Sequence, residues 1–173
     1  MTRMSEQTFA RRLYLGIIAA TGVWCALILA APLLAKTAPA FSDGCYRFFS
    51  QVCHQLDGRS FHFGGQKFAV CIRCASIYFS FLAAIILLPF AIHPAKVRAP
   101  SPIIIGAMFL PMAMDAGLHV LGIHSSSTIS RMVTGTLGGI ALACLLVPLF
   151  LETALHLKTN LKNKKVFYAT KTG

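Results

Sequence analysis

The chain has 173 residues, of which 56% are hydrophobic and only 12% charged, with a mean hydropathy of +0.69; an average soluble domain carries about 25% charged residues. This composition excludes an ordinary soluble globular protein, an intrinsically disordered chain and a secreted disulfide-rich miniprotein. The net charge of +11 and the six cysteines acquire meaning only once they are placed along the chain.

Residues 1–12 form a basic N-terminal segment. Residues 13–35 form an uncharged apolar run, and a helix at about 1.5 Å per residue would reach about 34 Å, enough to cross a hydrocarbon core of about 30 Å. Arg11 and Arg12 ahead of it and Ala38-Pro39-Ala40 behind it have the look of a signal peptide. The run is longer than the usual core of about 7 to 15 residues, so it is read as a retained first span. Residues 36–67 form the one long connection, rich in aromatic and polar groups. Three further apolar runs follow at 68–92, 102–123 and 132–157, and residues 158–173 are a lysine-rich tail. The short proline-rich link from His93 to Ser101 makes the second and third spans antiparallel neighbours, and a short serine-rich link around His124 to Ser130 joins the third to the fourth. The expected fold is therefore all-α, an integral membrane four-helix bundle. Gly135 and Gly139, with Gly138 beside them, would let the fourth helix approach a neighbour closely.

Basic residues in the flanks set the orientation. With the N-terminus inside, ten of the sixteen lie on the cytoplasmic side, five of them lysines of the C-terminal tail. Both termini are expected to be cytoplasmic, in a multi-pass protein of the cell membrane. The positive charge then reflects this bias and attraction to membrane lipid, and no nucleic-acid partner is expected, because a lysine tail behind a span offers no folded basic surface interleaved with aromatics.

Cys25 and Cys144 lie among apolar neighbours inside spans and read as small core residues. Cys45, Cys53, Cys71 and Cys74 cluster in the outer connection and at the start of the second span. Cys71 and Cys74 form a Cys-x2-Cys pair, and Cys53-His54 about 16 residues earlier completes a zinc-like spacing, with Cys53, Cys71, Cys74 and either His54 or Cys45 as ligands. Arg73 and the N-terminal end of the second helix would favour thiolate over thiol. The same cysteines suit a thiol oxidoreductase that passes electrons to quinone, or a set of staples between loop and bundle.

Asp115 is a carboxylate within a span, costly to insert and therefore turned inward and paired. His119, four residues on, shares its helix face; these two are the candidate proton-handling residues. Pro111 is expected to kink the third span one turn earlier, and Arg131 at the start of the fourth span is the expected partner of Asp115. Arg59, Arg73, Arg131, Gln55 and Ser127 fall in the same outer half and would bind a lipid or an anionic small molecule. Glu152 and His156, at the opposite end beside the lysine tail, read as an ordinary interfacial pair. No nucleophile elbow, phosphate loop or His-Glu-x2-His helix names a reaction, and a non-catalytic scaffold or a small transporter, for which the four helices could form an oligomer, stands as a further reading.

Cys53-His54-Gln55, Arg59-Ser60-Phe61, Cys71-x-Arg73-Cys74 with Tyr78, Pro111 with Asp115, and Ser127 with Arg131, Thr134 and Gly135 together resemble an uncharacterised family of four-span membrane proteins catalogued as a domain of unknown function (DUF2085-type). The resemblance runs from Tyr46 to Gly139. It implies no established activity. Cys45 stands outside the family pattern, which shifts weight toward three cysteines and a histidine around a metal. His119 and Thr128 depart from the pattern, where glutamine and asparagine are usual, so their roles are not carried over.

Overall fold

The structure is a computed structural model, and it describes residues 3–91, 101–123 and 125–171. The expected link from His93 to Ser101 lies largely outside the described residues, as does His124; of the lysines in the tail, those beyond residue 160 are described by their backbone only.

Four helices are long and apolar enough to cross a membrane: α1 (Arg3–Leu34), α3 (Ile72–Ala91), α4 (Pro102–Val120) and α5 (Thr128–Lys171). This is the all-α membrane bundle that the hydropathy pattern predicts. Between α1 and α3 stand a short helix, α2 (Pro39–Ser50), and a two-stranded antiparallel hairpin, β1 (Ser60–Phe63) with β2 (Gln66–Cys71). The expected loop at 36–67 is thus largely built into regular elements. Proline opens α2, where a missing N–H costs nothing, and Ser42, Cys45 and Phe49 bury one face of it at helical spacing. The hairpin turns on Gly64 and Gly65, both at positive φ (59° and 82°), the geometry of a two-residue turn whose twist matches its strands. The second span accordingly begins at Ile72 rather than at residue 68, because residues 66–71 are spent on β2.

Helix α4 stops at Val120. The Gly122 N–H bonds to the His119 carbonyl at 3.2 Å and the Ile123 N–H to that of Leu118 at 3.0 Å, with Gly122 left-handed at φ 71°; this is a Schellman ending. Pro111 does not divide α4, which continues through it. Ser127 precedes α5, and its Oγ accepts the N–H of Ser130 at 3.1 Å, which caps the helix and starts it four residues before the expected span.

Helix α3 pairs most extensively with α5, and α4 packs chiefly against α5. The α3–α5 contact is close because glycines line it. A Cβ at Gly139 would collide with Ser80 Oγ and the Ile77 carbonyl oxygen, and one at Gly135 would lie 2.7 Å from that of Arg73. Two apolar clusters fill the bundle. One, at the hairpin end, joins Ile28, Ala31, Phe49, Val70 and Ala75, with Trp24 packed edge-on against Phe48, Phe49 and Tyr78. The other, at the opposite end, joins Tyr14, Ile85, Ala143, Val147 and Leu151, and there the Tyr14 hydroxyl donates to the Ile85 carbonyl.

Candidate metal centre and polar pocket

Cys53 follows α2, Cys71 ends β2 and Cys74 lies in the first turn of α3. The hairpin folds the chain back so that the three sulfurs all lie within 4.8 Å of one another, the one such group of metal-capable side chains among the described residues. Cys53 is buried and the other two are half-buried. The Cys71 N–H donates to Cys53 Sγ at 3.1 Å. The neighbouring thiols of Cys71 and Cys74, and then the backbone N–H groups of Cys71 and Gln55, hold the Cys53 thiol well below its ordinary range despite its burial. Tyr78, one turn after Cys74, lies within electrostatic reach of all three sulfurs.

Gln55 holds this loop in place. Its backbone is left-handed (φ 48°), and its side-chain amide donates to the Tyr46 carbonyl at 2.7 Å and the Ala69 carbonyl at 2.8 Å, tying α2 to β2. Lys67 Nζ donates to the Gln55 carbonyl at 2.9 Å, and the Tyr46 hydroxyl donates to the Lys67 carbonyl. The amide of Gln55, expected to contact a substrate, is thus engaged by the protein's own carbonyls. His54, the expected fourth ligand, is exposed and stands outside the group of three. Cys45 is buried in α2, also outside it, and burial pushes its thiol upward.

Beside the sulfurs is a polar cluster around Asp115, which is 8% exposed. Arg73 pairs with one carboxylate oxygen through Nη2, and the Ser130 hydroxyl donates to the other. Arg73 thus makes the ion pair that sequence reasoning gave to Arg131. The reason is positional: Arg73 stands one residue before Cys74 on the helix that α5 approaches through Gly135. Arg131 instead donates from Nε to Ser126 Oγ at 2.8 Å, while lying within electrostatic reach of Arg59, Arg73, Asp115 and Cys71. The buried Nε of Arg73 has no hydrogen-bond partner. His119 is half-buried near the end of α4, and Ser127 is exposed at the cap of α5.

The structure therefore brings Cys53, Cys71 and Cys74 together, pairs Arg73 with Asp115, and sets Arg131 within electrostatic reach of Arg59, Arg73, Asp115 and Cys71. Sequence reasoning missed Ser130, although its place one residue before Arg131 in the first turn of a helix was a usable signal. At the far end of the bundle Lys158 Nζ lies 4.3 Å from the Phe9 ring centroid, so the start of α1 and the distal half of α5 meet there.

A family model described as a predicted membrane protein, DUF2085, matches residues 53–165. An uncharacterized protein of Methanocaldococcus jannaschii is 33% identical over 107 residues, covering 62% of this chain and 69% of its own length. An uncharacterized protein of Methanothermobacter thermautotrophicus is 34% identical over 105 residues, covering 58% of this chain and 88% of its own. No solved structure matches the chain.

Proposed function

The chain belongs to the DUF2085 family of membrane proteins, and from that premise we propose that its working part is a zinc-type centre on Cys53, Cys71 and Cys74, set beside an anion-holding pocket of Asp115 and three arginines. The single observation that carries this reading is the convergence of three sulfurs within 4.8 Å from three separate elements. Bonds of about 2.3 Å from a tetrahedral zinc set sulfurs about 3.8 Å apart, so closing on an ion asks for a shift of only about 1 Å. The donor set supports it too: N–H groups already point at Cys53 Sγ, as they would at a metal-bound thiolate.

Three protein ligands leave a fourth position. His54 would fill it by a change of the exposed loop, giving a closed structural site; water or substrate would fill it otherwise, which is the catalytic arrangement. When bound there, zinc would supply a Lewis acid and an acidified water. Arg59, Arg73 and Arg131 would hold the anionic part of a ligand, while Asp115 would orient Arg73 and, with His119, handle a proton. The cysteine end is proposed to face outward and both termini to face the cytoplasm. The meeting of Phe9 with Lys158 supports placing the N-terminal segment and the basic tail on one side.

The test is metal content and thiol count on one detergent-solubilised sample. About one zinc per chain, with Cys53, Cys71 and Cys74 reduced and protected from alkylation until a chelator is added, is the expected result. Metal-free protein with a reversible Cys71–Cys74 disulfide would overturn it in favour of a quinone-linked thiol oxidoreductase.

A further inference from the structure

Along the side of the bundle, α3 and α5 frame a groove of about 660 Å³ that begins beneath the hairpin and descends into the span. On α3 it is lined by the small side chains of Ala75, Ser76, Ser80, Ala83 and Ala84 together with Phe79 and Leu87, and Phe61 of β1 lines it from the hairpin. From Ser76 to Leu87 it follows about 17 Å of helix, more than half the depth of a hydrocarbon core. The surface within it is almost wholly apolar.

The hairpin end of the groove is lined by residues close in the chain to the arginines. Phe61 is two residues from Arg59, Met132 adjoins Arg131, and Ser76 follows Arg73 by less than one helical turn. Arg131 lies within electrostatic reach of both Arg59 and Arg73, and of the Asp115 carboxylate that Arg73 pairs. Even three thiolates closed around a divalent cation would add only one further negative charge, so positive charge remains for an anion. Arg73 also has an unspent buried donor at Nε. Guanidinium forks match the oxygens of a phosphate, and an apolar channel leading from them matches a hydrocarbon chain.

We infer that this groove and the arginine pocket form one binding site for a phosphate-headed lipid, its head on Arg59, Arg73 and Arg131 and its chain between α3 and α5. This deepens the proposed function and rests on its arginine pocket, though not on its metal. The full-length protein in mixed micelles would be titrated with phosphatidic acid against phosphatidylcholine of the same chains, and retained lipid counted by native mass spectrometry, with zinc measured on the same sample. One phosphatidic acid per chain, preferred by at least about tenfold, is expected. Arg59→Gln should reduce the preference about tenfold; Ala83→Phe, at an exposed groove position, should displace the lipid while leaving the fold and zinc content unchanged. Equal retention of the two lipids, or competition by inorganic phosphate as strong as by the lipid, would overturn the inference. Absence of zinc from a sample whose lipid preference is intact would overturn the metal centre alone.

Discussion

Replacing Asp115 by alanine should be among the most damaging single changes to the bundle. The carboxylate is 8% exposed, and its partner Arg73 keeps 22% of its side-chain surface open. Asp115→Ala strands a guanidinium and removes the acceptor of the Ser130 hydroxyl, and Arg73→Ala removes the ion-pair partner of the more deeply buried carboxylate. Breaking a buried pair from one side costs about 3–5 kcal/mol. The partial exposure of Arg73 places Asp115→Ala toward the lower figure, and Arg73→Ala toward the higher. The double variant carries no stranded charge, so its loss should fall short of the two single losses added together by about 2 kcal/mol or more. Unfolding in mixed micelles titrated with sodium dodecyl sulfate, followed by far-ultraviolet circular dichroism, measures all three. Single losses below about 0.5 kcal/mol, or a strictly additive double variant, would refute the reasoning, because the pair would then be behaving as a water-screened surface contact.

The close approach of α3 to α5 predicts that Gly139→Ala, whose methyl meets the Ile77 carbonyl, costs about 1–3 kcal/mol in the same titration; Gly106→Ala, with nothing within 4 Å, should be neutral or stabilising by up to about 1 kcal/mol, and equal effects would sink the packing argument. Chelator-stripped protein should keep a thiolate at pH values well below the usual thiol range of about 8.5, because the hydrogen bonds to Cys53 lower its pKa. The ultraviolet thiolate absorbance should therefore persist as the pH falls through neutrality and vanish in Cys53→Ser; absorbance that titrates away near pH 8 to 9 would contradict the hydrogen-bonded arrangement.

Much of this was legible because lipid is an unforgiving solvent. A span has to be apolar throughout its length, so hydropathy alone located four helices. The same cost made Asp115 conspicuous and directed attention to one end of the bundle. What stayed hidden follows different physics. Residues 36–67 answer partly to water, where pattern is weaker, yet the Gly64-Gly65 turn between aromatic segments and the helical spacing of Ser42, Cys45 and Phe49 were readable signals. The choice of Arg73 over Arg131 for Asp115 depends on helix rotation and on the Gly135 contact, and neither is encoded in distance along the chain. The engaged amide of Gln55 depends on two carbonyls from different elements, again invisible in one dimension.

The sulfur cluster has a consequence for the order in which the protein is made. Cys53, Cys71 and Cys74 fall within 22 consecutive residues, and the elements that carry them are neighbours in the chain. Contacts of short sequence separation form early. The knuckle is therefore complete as soon as the start of α3 is available, whereas Asp115, Ser130 and Arg131 emerge later, by a delay on the order of seconds at ordinary rates of synthesis. During that interval the nascent chain holds a metal-capable centre without the pocket that would put it to use. A membrane insertion fault confined to α4 or α5 would leave a half-built protein that still carries the three sulfurs in one cluster.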